Sequence, residues 1–148
     1  MDHYSTNDFE PRRNKHSMII RVYYEDTDFS GVVYHASYLR FLERGRTELL
    51  RTIGINQGQS FRLPVNQSYG FVVSRLAIKF LSPAKMDDLI EVETSVNSIG
   101  GASVELDQRI VRDTRPLASA KIRIALVSEG KVGRLPPELR QRLSRLQN

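Results

Sequence analysis

The chain has 148 residues, 40% of them hydrophobic, a net charge of +5 and no cysteine. That length suits one compact domain with a real core, and the missing cysteines exclude disulfides, thiolate metal sites and a cysteine nucleophile together. The positive charge is too dispersed to define a nucleic-acid surface; the crowd of Lys131, Arg134, Arg140, Arg142 and Arg145 near the C terminus reads as a solvated tail.

Residues 1–17 are polar, mixed in charge and aperiodic, which predicts a flexible leader with no signal-peptide core. No later segment approaches a membrane span, so the expected compartment is the cytoplasm. Order is expected from about Met18, where MIIRVYY reads as a strand that stops at the acidic, glycine-containing EDTDFSG. Tyr34, Tyr38, Phe41, Leu42, Gly45, Leu49 and Ile53 then recur at helical spacing as one apolar stripe. Arg40, Glu43, Arg44, Arg46, Glu48 and Arg51 form the polar face, and Gly54 fits the left-handed residue that ends the helix. Gly45 costs about 1 kcal/mol relative to alanine in mid-helix, which predicts a neighbouring backbone that comes close there. Glu43 is expected in a surface ion pair or at the border of a site, and His3 and His16 fall in the inert leader.

After a loop containing Gly58 and Pro64, the chain reads as strands. Residues 71–80 form an apolar run, and Ile90–Val96, Val104–Ile110 and Ala118–Leu126 alternate apolar with polar residues. Ser82-Pro83, Gly100-Gly101 and Asp113-Thr114-Arg115-Pro116 read as turns. Connections this short favour antiparallel pairing. A short basic helix follows Pro136. The expectation is an α+β domain over residues 18–130, with a sheet that curls around one long helix, and a basic C-terminal segment over residues 131–148.

The stretch from Tyr24 to Arg46 places Asp26, Asp28, Gly31 and His35 directly before the helix pattern. Asp, Ser and Gly are ordinary residues of a capped turn. Free N–H groups at a helix start can also polarise a carbonyl oxygen, and a nearby carboxylate can act as nucleophile or base. The residue types alone leave both readings open.

The run Tyr24-x-Asp26-Thr27-Asp28-x-x-Gly31-Val32-Val33-Tyr34-His35-x-x-Tyr38, with Glu43 and Arg44 beyond it, resembles the signature of the 4-hydroxybenzoyl-CoA thioesterase family. Within it, the run is most similar to the Tol-Pal system-associated acyl-CoA thioesterases of the YbgC type. The similarity continues through Phe71-Val72-Val73, Ser82-Pro83-Ala84-x-x-Asp87-Asp88 and Gln108-Arg109-Ile110-Val111, covering roughly residues 18–128. The resemblance implies a hotdog fold, a curved antiparallel sheet of about five strands wrapped around a long central helix. It also implies a homodimer or tetramer with active sites at the subunit interface. Its catalytic aspartate falls on Asp28, its histidine on His35, and the backbone N–H that polarises the thioester carbonyl on Tyr34. The substrate implied is an acyl-CoA ester, with an acyl carrier protein as a further candidate partner and no cofactor or metal. Family members often carry arginine in the turn before Ser103; here that turn is Gly100-Gly101-Ala102, which leaves Ser103 or the basic C-terminal segment to meet the coenzyme A phosphates. Two other readings are a hotdog dehydratase and a dimeric adaptor for an acyl-carrier or envelope-associated protein.

Overall fold

The computed structural model describes residues 14–58 and 69–147. Most of the expected leader, with His3, and the Pro64 part of the loop lie outside the described residues.

Strand β1 spans His16–Arg21 and helix α1 His35–Thr52; then come β2 (Tyr69–Phe80), β3 (Leu89–Ile99), β4 (Ser103–Arg112), β5 (Arg115–Ser128), the two-residue β6 (Lys131–Val132) and helix α2 (Pro137–Ser144). The sheet runs β1-β3-β4-β5-β2, with every pair antiparallel and β6 paired to β5 at Val127↔Val132. Strand β6 raises the count to six, one beyond the expectation. His16 pairs with Thr94 inside β1 rather than lying in a leader.

The β4–β5 turn is only Asp113 and Thr114, both at positive φ (47° and 70°), the backbone twist that suits a two-residue hairpin. Pro116 therefore lies within β5, opposite Val111. Strand β2 reaches β5 only as far as Phe80↔Ala118, so the proline's missing N–H breaks no ladder bond on that side.

Ile90, Val92, Thr94 and Val96 of β3 and Val104, Leu106, Gln108 and Ile110 of β4 are buried. With Tyr38, Phe41, Leu42 and Leu49 of α1, their apolar members form one core, as the two periodicities predict. Two polar residues of the buried set, Thr94 and Gln108, lie beside Gly45. A Cβ at Gly45 would stand 2.7 Å from Val92 Cγ1, 2.9 Å from Thr94 Oγ1 and 3.1 Å from Gln108 Nε2. The close approach expected at this glycine is real, but it comes from sheet side chains rather than from backbone. Gln108 Nε2 donates to Leu42 O (2.9 Å) and Thr94 Oγ1 (2.8 Å), and Arg46 Nη1 donates to Gln108 Oε1 (3.1 Å). Arg46 is thus buried, not on a wet helix face.

Helix α1 ends as Gly54 predicts. Gly54 sits at φ 82°, its N–H donates to Arg51 O (3.1 Å), and Ile55 N–H reaches back to Leu50 O (3.0 Å). This is a Schellman cap with its apolar contact, since Leu50 and Ile55 are both buried. The C-terminal segment is docked rather than a solvated tail. Leu135, Leu139 and Leu143 are buried; Arg142 donates to Ile53 O at the end of α1 (3.2 Å), and Arg140 to Gly100 O (2.6 Å). These arginines satisfy carbonyls at the ends of other elements, which a run of charge in sequence does not reveal.

Candidate active site at the start of the long helix

Between β1 and α1 the chain makes a single 3-10 turn (Tyr24–Asp26) and then a tight loop. Asp26 is buried and holds this entry together. Its Oδ2 accepts from Tyr23 N–H (2.8 Å), and its carbonyl accepts from Tyr34 N–H (2.9 Å) and Ser37 Oγ (3.0 Å). Asp28 Oδ1 accepts from the N–H of Ser30 (2.8 Å) and from its hydroxyl. Gly31 closes the loop at φ 86° with its N–H on Asp28 O (3.1 Å), and Asp28 N–H donates to Val32 O (3.0 Å). The segment between β2 and β3 braces the other side: Val33 N–H donates to Ala84 O (2.8 Å), and Val32 forms a bridge with Lys85. Asp88 secures that brace by accepting from Lys85 N–H (2.8 Å) and Arg112 Nη1 (2.6 Å).

Asp28 therefore borders the helix start on a braced loop, exposed to water along part of its surface in the single chain. The hydrogen bonds from Ser30, side chain first and backbone second, hold its carboxyl below the usual carboxylate range against a small opposing effect of burial. The group is an anion ready to act as nucleophile or proton acceptor.

Tyr34 is the residue before the first helical turn, and its N–H is occupied by Asp26 O. The donor expected at Tyr34 is thus unavailable for a substrate. The N–H groups of His35 and Ala36, the first two residues of α1, have no backbone acceptor among the described residues. They are the open donors that a helix start presents. Sequence proximity could not distinguish neighbouring amides; only the partner of each one does.

The His35 ring lies 4.3 Å from that of Tyr34 and 6.5 Å from that of Phe80, centroid to centroid. It borders a groove of about 310 Å³ walled by Val33, Tyr38, Phe80 and Leu81. Tyr38 is buried, its hydroxyl accepts from Ala84 N–H (3.0 Å), and burial pushes its phenol above the usual tyrosine range. Phe80 is the member of this cluster that the sequence did not mark, because it looks like the last residue of an apolar strand. Glu43 is exposed, accepts from Thr47 Oγ1 (3.0 Å) and lines a separate cavity of about 120 Å³ with Arg46 and Phe71.

Ser103 is not part of this cluster within one chain. It pairs with Ala125 of β5, whereas Phe80 pairs with Ala118, a separation of about 23 Å along the strand. At the Ser103 end lies a cavity of about 380 Å³ between Ile55, Tyr69 and Leu139, rimmed by Arg134 and Arg142. No group of three or more His, Asp or Glu residues placed to hold a metal occurs among the described residues. No helix among them is long and apolar enough to cross a membrane.

Comparison with known proteins identifies the family and the fold. Residues 22–143 match the family model described as the thioesterase-like superfamily. The acyl-CoA thioesterase YbgC of Haemophilus influenzae is 48% identical over 119 residues, covering 80% of this chain and 85% of that one. The acyl-CoA thioesterase YbgC of Helicobacter pylori is 38% identical over 93 residues, covering 63% and 65% respectively. The crystal structure of a probable thioesterase from Bartonella henselae superposes with a TM-score of 0.78 at 43% identity, covering 82% of this chain and 99% of that one. The six-stranded antiparallel sheet with its long helix is the hotdog architecture, and the chain belongs to the thioesterase-like superfamily.

Proposed function

We propose that this protein hydrolyses acyl-CoA thioesters. The observation that carries the reading is the pair of open amides, His35 N–H and Ala36 N–H, at the start of α1, with an anionic Asp28 on the loop that leads into it. The thioester carbonyl oxygen is received by these amides, where negative charge develops as the carbon becomes tetrahedral. Asp28 either attacks that carbon, expelling the thiolate and leaving a mixed anhydride for water to cleave, or takes a proton from water as it attacks. The His35 side chain orients the water or gives the departing thiolate its proton. In both routes one water is consumed, and the products are a carboxylic acid and free coenzyme A.

The site is completed by a second copy of the chain. Strand β2 is twelve residues long and ends the sheet. Its Val72 and Val73 are more than 40% exposed, which makes a template for pairing. An antiparallel β2–β2 pair sets the Tyr69 end of one subunit beside the Phe80 end of the other. This brings the partner's Ser103, which within one chain is about 23 Å along the sheet from the groove, toward it together with the cavity that Arg134 rims, and it supplies a place for the coenzyme A phosphates that the Gly100-Gly101-Ala102 turn lacks. The subunit contact also removes water around Asp28.

Free-thiol release from a panel of acyl-CoA esters tests this directly. Wild-type protein is expected to turn over members of the panel, and Asp28→Asn to lower kcat/KM by at least about 100-fold with its melting temperature unchanged, since asparagine keeps the turn-capping oxygen. Wild-type rates in the variant, or no turnover of any ester, remove the assignment.

A further inference from the structure

The groove beside His35 has one fixed wall and one adjustable wall. Tyr38 is the fixed one: it is 3% exposed, its hydroxyl is clamped by Ala84 N–H, and its ring meets Phe41 edge-on at 6.2 Å. Phe80 is the adjustable one. It closes the edge strand, is 52% exposed, and its ring meets Tyr38 at 5.3 Å and 70° and His35 at 6.5 Å and 79°. Among the described residues no titratable side chain other than His35 and the Tyr38 phenol lines the groove, and Leu81, Ser82 and Pro83 close the rest. Its volume of about 310 Å³ stands at the low end of the ligand-pocket range of about 300–1,000 Å³.

We infer that this groove seats the acyl group of the thioester and that Phe80 sets the upper size limit of that group, which is uncharged. The inference rests on the hydrolase reading, because that reading places the carbonyl at the His35 N–H. From there the groove is the apolar way out, while the Asp28 loop presents hydrogen-bonding groups. An acyl group that grows beyond the Phe80 ring either displaces the ring or stays in solvent. A misfit of one methylene in an apolar pocket changes selectivity by about 10- to 200-fold.

The test separates acyl fit from chemistry. Ketone analogues of acyl-CoA, with a methylene between sulfur and carbonyl, cannot be hydrolysed; a linear series from acetyl to dodecanoyl is titrated calorimetrically into the full-length protein. Affinity is expected to rise with length and then fall at least about tenfold at a limit. Phe80→Ala moves that limit to longer chains and Phe80→Trp to shorter ones; Phe80→Leu supplies the longer-chain shift should alanine loosen the strand end. A limit that stays in place in all three variants, or affinity that climbs without one, overturns the inference. Thiol release from the matching thioesters is read separately. Protein that binds the ketones with the expected limit yet releases no thiol overturns the hydrolase reading and leaves the acyl limit standing.

Discussion

Two polar regions meet the long helix, one beneath its middle and one at its start, and they are built in opposite ways. Beneath Gly45, Gln108 is 1% exposed, and its amide is used on both sides, by Arg46 on one and by Leu42 O and Thr94 on the other. At the helix start, Tyr34 N–H is satisfied but His35 N–H and Ala36 N–H stay open, and Asp28 faces water with only its own loop to hold it. A closed network in a low-dielectric interior stabilises the fold because leaving any member unpaired is expensive. An open set of donors and an exposed anion adds less to stability than a closed network, and it is what a substrate needs. The open set is usable because Asp26 and Ala84 hold the backbone around it.

The sharpest way to break this contrast is to damage the closed network. Gln108→Leu keeps the apolar volume but removes the acceptor of the buried Arg46 guanidinium, whose ionisation burial already disfavours. The expected loss is about 2–3 kcal/mol, read as a lower urea midpoint with an unchanged m value, while kcat of the folded protein stays at the wild-type level. A midpoint within experimental error of wild type removes the network from the stability argument.

A smaller effect belongs to the outer face of the sheet, where Glu93 is 5% exposed and paired with Arg109 (2.7 Å) and Lys15. Burial pushes its carboxyl up, but the hydrogen bonds and charges of Lys15 and Arg109 outweigh it, and the net shift is downward. A carboxyl with a depressed folded pKa stabilises the protein above its unfolded pKa of about 4.3, and that contribution is lost as pH falls through the folded value. Glu93→Gln is expected to lower stability by about 1–2 kcal/mol at neutral pH. The gap from wild type should close as urea midpoints are measured downward through about pH 4; a gap that persists in acid marks a packing effect instead.

The parts of the molecule that the sequence disclosed are those with a period or a steric requirement. The spacing of Tyr38, Phe41, Leu42 and Leu49 placed the long helix on its sheet, and Gly54 marked its end, because only a residue tolerant of positive φ suits that cap. Arg46 was misleading because a polar letter at a core position reads as a wet face until its partner, Gln108, 62 positions away, is known. Arg140 and Arg142 misled for the same reason: their acceptors are backbone carbonyls, which every sequence contains. At the helix start the residue types announced an acid and a histidine. Which amide stays open depends on Asp26 O taking Tyr34 N–H, a geometric fact without a compositional trace. The two ends of the proposed substrate site, Phe80 on β2 and Ser103 on β4, pair with β5 at Ala118 and Ala125, far apart along that strand, so a site that joins them needs the proposed second chain.

The smallest predicted effect probes the open region at its anion. In the proposed mechanism Asp28 acts as the carboxylate in either role, so kcat/KM is expected to fall as pH drops through its pKa. The Ser30 hydroxyl is the larger of the two hydrogen bonds that hold this pKa down, and the Ser30 backbone N–H is the other. Ser30→Ala removes the first and keeps the second. The carboxyl then titrates nearer the ordinary value of about 3.9, so the acid limb of the pH–rate profile moves to higher pH, while rates at neutral pH, where Asp28 is ionised in both proteins, change little. Ser30→Thr, which retains a hydroxyl, restores the wild-type limb. An acid limb that ignores both substitutions belongs to another group, and the contrast between a closed interior network and an open anion proposed for catalysis then loses its second half.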